Sequence, residues 1–384
     1  MLHIIRFYIL DFRGGDYMKR NYLLYSFVIV IISFTMISLI SDNKEFSELE
    51  NRKLKTSVTF SIKNFFDGNF QKDYESYIND QFPLRDNWIS LKSINEYILG
   101  KIENNGIIYG SNEELFEKFD SLDEEKFKNN VEAIKKFAEN YYDKVSLMII
   151  PSSYEIYKEN LPMGSPIILQ EELINKIYNF STFSNNIDVM KELLDNKNNY
   201  IYYKTDHHWT TYGAYLAYCK FIDSINGNKV NLKDFKEVEL PNFYGTYYSK
   251  AKPFNIEPDI MTYYDFNNLT MEIVGDKIYD YIYDYSKKTL RDKYSLFLYG
   301  NNPLTIIKNK DIKNNKKILV IKDSFGNSLV PFLTQNYDEV HVIDLRYFSS
   351  KLSSYLEEND FEDILIIYNF INLATDNNVL RLKY

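Results

Sequence analysis

The stretch "KKILVIKDSFGNSLVPFLTQNYDEVHVIDLRYFSSKLSSYLEENDFEDILIIYNF", residues 316–370, limits the possible folds more than any other part of the chain. Three short apolar runs, around 318–322, 340–343 and 363–369, are separated by segments each long enough for one helix. Continuous Ile, Val and Leu without polar alternation marks strands covered on both faces. Alternation of such strands with helices predicts parallel crossovers and a doubly wound α/β sheet. Upstream, "DEEKFKNNVEAIKKFAENY" reads as a helix and "KVSLMIIP" as a buried strand ended by Pro151. "NNYIYYKT" reads as a second strand, leading into "DHHW" at 206–209. Thr210 or Thr211 is placed to N-cap the helix that follows, through Tyr215, Leu216, Cys219 and Ile222.

Ahead of this domain, "YLLYSFVIVIISFTMISLI" at 22–40 contains no charge and is about as long as the hydrocarbon of a bilayer is thick. Lys19 and Arg20 precede it and Asp42 follows. The positive-inside tendency therefore puts residues 1–21 in the cytoplasm and the bulk of the chain outside. No Ala-x-Ala-like site follows, which favours a single-pass signal anchor in the cell membrane over a removed signal peptide. "RGGDY" before Met18 is what a purine-rich ribosome-binding sequence would encode, so translation is expected to start at Met18 and residues 1–17 to be untranslated. Residues 41–125 read as a lead-in that packs on the main domain. In it, Phe82, Trp88, Ile89, Leu91, Ile94, Tyr97 and Ile98 follow helical spacing after Pro83, and "NNGIIYGSNEELF" reads as a hairpin. Residues 126–384 are expected to form the main domain, with a Tyr-, Asp- and Asn-rich insertion at about 239–315.

Composition removes several function classes. A formal charge of −9, with no Lys/Arg cluster beyond the N-terminus, argues against nucleic acid. One cysteine, Cys219, excludes an internal disulfide and a Cys-rich metal site. The 35 tyrosines and 27 phenylalanines reflect either AT-rich coding or a carbohydrate-stacking surface.

Two clusters carry chemistry. Ser324 follows a strand and starts a helix, at the end of the sheet where ligands of such folds bind. It is either a helix N-cap or a nucleophile, with the amides of Ser324 and Phe325 facing an incoming oxyanion. Asp206 and His208 follow another predicted strand, so an imidazole can reach the serine if both strands share one sheet. A serine needs that base, and the acid would hold the base's tautomer. His207 is the alternative base. Trp209 either walls the site and stacks on a sugar or packs a helix start. Asp323 caps the next helix or braces the turn. Asp206, His207 and His208 also have metal-ligating side chains, but adjacent side chains point apart and no third histidine or cysteine accompanies them, so no metal and no cofactor is expected.

"ENRKL", "DQFPLRD", "TDHHWT", "YGNNPL", "IKDSFGNSLVPFL" and "VIDLRYF" together resemble the bacterial DHHW family and the SGNH-like alginate O-acetyltransferase group over about 45–384. The resemblance implies an SGNH-hydrolase-like fold, with Asp206 as orienting acid, His208 as general base and Ser324 as nucleophile. It implies acetyl transfer to a cell-surface or secreted polysaccharide, the acetyl donor being delivered by a multi-pass membrane-bound acyltransferase. Asn369 matches the position of an SGNH oxyanion asparagine. Two departures stand out: Lys322 where glycine is common, and Leu345-Arg346-Tyr347 where an oxyanion glycine is usual. Arg346 either binds a substrate carboxylate or pairs with an acid. A carbohydrate esterase using the same triad, or a non-catalytic glycan-binding protein, fits the same sequence.

Overall fold

Cover on both faces decides which apolar runs become central strands. In the computed structural model, which describes residues 2–180 and 185–383 with side chains from Asn21 onward, the chain divides at Asn95/Glu96 into two compact units. The first contains a helix Leu2–Ile40, whose Asn21–Ile40 part is long and apolar enough to cross a membrane. A short pair of strands, β1 (Phe46–Ser47) and β2 (Arg52–Lys53), follows. The helices Ile62–Phe66, Asn69–Asp80 and Arg85–Ile98 come next. Arg52 bonds both carboxylate oxygens of Asp80, and Arg85 bonds Glu50, so "ENRKL" and "DQFPLRD" are the two halves of one ionic clasp.

The second unit opens with the expected hairpin, a three-stranded sheet of β3 (Glu103–Asn104), β4 (Ile107–Tyr109) and β5 (Leu115–Glu117). The remaining strands are β6 (Val145–Ile150), β7 (Asn185–Asn186), β8 (Lys236–Phe243), β9 (Asp259–Asp265), β10 (Leu269–Ile273) and β11 (Ile278–Tyr279). After them come β12 (Leu304–Asn309), β13 (Lys317–Lys322), β14 (Glu339–Ile343) and β15 (Asp363–Asn369). Eight form the central sheet, in the order β11-β10-β12-β14-β13-β15-β6-β7. From β14 to β7 the pairing is parallel, and all six residues of β6 and the run Ile318–Lys322 of β13 are buried. Each fully buried Ile, Val or Leu there contributes about 1.5–3 kcal/mol, which makes this half the core of the fold.

Two expectations change. The sheet is mixed rather than wholly parallel, because β12, β10 and β11 add antiparallel beyond β14. Of the insertion expected at about 239–315, β10, β11 and β12 extend the main sheet, while β8 and β9 pair apart from it. The segment 198–205 is not a sheet strand either. It makes one bridge, Tyr202 to Trp209, and doubles back as a tight loop closed by Thr210 N–H to the Ile201 carbonyl (2.9 Å).

Candidate active site

The central strand β13 delivers Ser324 two residues beyond its last member, Lys322. Asp323 shapes that turn. Its Oδ1 accepts the Phe325 N–H (2.9 Å), and its Oδ2 accepts the Asn369 N–H (2.8 Å) and an N–H of the Asn372 amide (2.7 Å). Three donors on one buried carboxylate lock the ends of β13 and β15 together. Lys322 runs beneath the start of the helix Gly326–Leu333, where a Cβ on Gly326 would sit 2.7 Å from the Lys322 Cβ. Its buried ammonium donates to Asn301 Oδ1 (2.9 Å) and lies 3.6 Å from Asp344. Burial, only partly offset by Asp344, pushes this lysine down to about 8.

The DHHW segment reaches the serine as a braced loop. Asp259 accepts the N–H groups of Lys204 (2.9 Å) and Thr205 (2.8 Å) and the hydroxyls of Thr205 and Tyr200, fixing the turn before Asp206. Thr210 then caps the helix Thr211–Ser224 through the Gly213 N–H (3.2 Å). Held this way, Asp206 Oδ1 lies 2.6 Å from His208 Nδ1, and His208 Nε2 lies 2.8 Å from Ser324 Oγ. All three side chains are buried, Ser324 the least at 9% exposure. Asp206 Oδ2 accepts the Thr246 N–H (2.7 Å). Residue 245 must be glycine for this approach, since a Cβ there would lie 2.2 Å from the Asp206 Cβ.

The imidazole of His208 is held on both faces. The Tyr294 ring stacks on one at 3.7 Å and 9°, and the His207 ring covers the other at 3.7 Å and 39°. The Tyr294 hydroxyl donates to the Ser324 carbonyl (3.1 Å) and lies 3.2 Å from Ser328 Oγ, tying the base's platform to the turn that carries the serine. Burial first, and then the charge on His207, pushes His208 down to about 3 against the pull of Asp206. Burial disfavours the Asp206 charge, yet the two imidazoles more than compensate and hold the carboxyl well below its usual range. His207 moves the other way: Asp206 outweighs burial and raises it. At neutral pH the loop thus presents an ionised acid and a neutral base whose Nε2 accepts from Ser324.

The other expected residues divide. His207 does not reach Ser324 as a base; its Nδ1 lies 2.7 Å from Thr246 Oγ1, and its side chain is 27% exposed. Trp209 is fully buried and unable to stack on a sugar, because its indole N–H is used on the Phe325 carbonyl (3.1 Å) and Ser328 Oγ (3.0 Å). The Phe325 amide, expected at an oxyanion, is consumed by Asp323. Asn369 caps the helix Phe370–Thr375, and its amide N–H groups go to the Ile150 carbonyl (3.1 Å) and Ser152 Oγ (3.3 Å). Arg346 forks onto buried Asp344 through Nε (2.9 Å) and Nη2 (2.6 Å). Among the described residues neither its Nη1 nor the Ser324 N–H has an acceptor. The arginine is near enough for its charge to act on both His208 and Asp323. Asp206, His207 and His208 bring three potential metal-donor atoms within 4.8 Å of one another. Both nitrogens of His208 are already engaged, with Asp206 and Ser324, which suits proton transfer better than ligation. Tyr294, Gly245 and Asp259 carry no motif and escape a reading of the sequence alone.

Comparison with known proteins places this fold. A family profile described as "DHHW protein" matches residues 103–343. Among solved structures, a DHHW family protein from Eubacterium siraeum DSM 15702 is similar at 24% identity, covering 73% of this chain and 96% of that one, with a TM-score of 0.64. Bacillus cereus PatB1 with a sulfonyl adduct is similar at 21% identity over 72% of this chain and 98% of that one, TM-score 0.59. The O-acetyltransferase domain of Pseudomonas putida AlgJ matches at 15% identity over 72% and 98%, TM-score 0.48. The first two establish the fold as α/β with a large central sheet. A search of curated proteins finds no significant match.

Proposed function

This chain belongs to the DHHW family, and from that premise we propose that it is a serine-type O-acetyltransferase of the cell envelope. One observation carries the reading: Asp206, His208 and Ser324 stand in a single hydrogen-bonded line with contacts of 2.6 and 2.8 Å. Ser324 Oγ attacks the acyl carbonyl carbon of an acetyl ester while its proton passes to His208 Nε2. Asp206 keeps Nδ1 protonated and stabilises the imidazolium that forms. The proton then goes to the departing alkoxide, leaving acetyl-Ser324. An acceptor hydroxyl gives its proton to His208, attacks the ester carbon and leaves acetylated, and the imidazolium returns the proton to Ser324.

The oxyanion of each tetrahedral state needs donors that are not already used. With Phe325 and Asn369 committed elsewhere, the Ser324 N–H and Arg346 Nη1 are the groups suited to it. The acceptor is a cell-surface or secreted polysaccharide. The span at 22–40 anchors the protein with its bulk outside, and a multi-pass membrane acyltransferase supplies the donor, since a single span cannot carry an acyl group across.

The test is acetyl transfer from a chromogenic acetyl ester to oligosaccharide acceptors, with products separated. Ser324→Ala is expected to abolish transfer and labelling by a sulfonyl fluoride. Full activity in that variant overturns the assignment of the nucleophile. Free acetate as the only product, with acceptor present, makes the protein an esterase instead.

A further inference from the structure

The residues leaving the apolar span are tied directly to the corner that precedes the helix Arg85–Ile98. The Lys44 N–H donates to Gln81 Oε1 (2.9 Å), and Gln81 Nε2 donates back to the Lys44 carbonyl (3.0 Å) and to that of Lys55 (2.9 Å). Asn43 Nδ2 donates to the Thr56 carbonyl (2.8 Å), and the Tyr77 hydroxyl bonds Asn43 Oδ1 (3.3 Å). Whatever lies beside Gln81 is therefore held where the chain leaves the span. What lies there is apolar and uncovered: Phe82 is 43% exposed, Leu84 61%, Trp88 45% and Leu91 47%. Trp88 and Leu91 stand three apart on this helix and share one face, and Phe82 and Leu84 stand in the turn just ahead of it.

A second contact sets the depth. Phe34 belongs to the span, and its ring stacks on Phe82 at 5.5 Å and meets Trp88 at 5.9 Å. It stands six residues before Ile40, or about 9 Å along a helix axis. Helices lying in a membrane surface bury their apolar face roughly 5–10 Å into the boundary between headgroups and acyl chains, where tryptophan is enriched. The depth set by Phe34 falls in that range.

Resting on the anchored reading of 22–40, we infer that the patch of Phe82, Leu84, Trp88 and Leu91 lies in the outer leaflet of the bilayer that the span crosses. The lipid contact is continuous from the spanning helix onto the surface helix. The first unit is thereby a membrane-embedded collar rather than a free tether.

The sequence makes the test unusually clean, because the chain has two tryptophans and Trp209 is fully buried in the other unit. The full chain is reconstituted into phosphatidylcholine–phosphatidylglycerol vesicles doped with lipid brominated either near the head or near the tail end of its acyl chains. Trp88 emission is expected to fall roughly twofold with head-proximal bromine and less with tail-end bromine. Trp88→Phe, a benign change at an exposed ring, is expected to leave only unquenched Trp209 emission. Unquenched wild-type emission from protein that sediments with the vesicles overturns the inference and assigns the patch to a protein partner or a second copy. Equal quenching in Trp88→Phe overturns it as well. Acetyl transfer measured on the same vesicles reports on Ser324 separately, so either reading can fail alone.

Discussion

Neutral His208 owes its state to burial and to the charge on His207. Tyr294 and His207 exclude water from its faces, while Asp206, which accepts its Nδ1–H, pulls the other way without prevailing. Only the unprotonated ring accepts from Ser324, so activity is lost as pH falls through the pKa of His208 in the folded enzyme. That value is depressed by burial, so the acid limb of kcat/KM for a chromogenic ester is expected below pH 6.5, the ordinary imidazole value. Tyr294→Leu removes the platform and admits water, which should move the limb upward and lower kcat more than it raises KM. A wild-type limb at or above pH 6.5 contradicts this account. The hydrogen-bonded line of Asp206, His208 and Ser324 was legible, because its members are residue types at meaningful spacing. Which N–H groups stay free was not: that depends on where Asp323 and Asn369 aim, and sequence spacing does not encode that direction.

Among elements, the strands of the parallel half were readable because burial on both faces leaves no polar residue to interrupt them. β10 and β12 were missed since each carries polar residues, and the positions they pair lie 32 to 40 residues apart in the chain. The segment 198–205, which leads into DHHW, was misread as a strand for a related reason: "YIYY" has strand-like letters, but Ile201, Tyr202 and Tyr203 pack in the core, and Tyr200 stays exposed, around a turn that Asp259 holds. The loop is positioned by the segment Phe243–Thr246 as much as by its own sequence. Gly245→Ala places a methyl group against Asp206 and must push the loop aside. A displacement of even 1 Å at the reacting groups can cost roughly 10²-fold in rate, and a loss of that order in kcat is expected with far-UV circular dichroism unchanged. An alanine variant of normal kcat would show that Asp206 is not held by this contact.

For the molecule as a whole, the sheet order concentrates stability. β13 lies between β14 and β15, and β6 lies beyond β15, so these four make the dry centre while β11 is an edge of two residues. Native-state hydrogen exchange should therefore find the slowest amides in β6, β13, β14 and β15 and much faster ones in β11. Comparable protection in β11 would mean that the antiparallel extension belongs to the same cooperative unit. The pairing of β15 with β6 joins residues 364–369 to residues 145–150. A chain fed through a translocase from its N-terminus must therefore wait, with β6 unpaired on that side, until β15 has emerged. The serine turn, which Asp323 braces against the end of β15, can assemble only then. An enzyme on the proposed reading would stay inert during export until β15 has crossed and closed the serine turn.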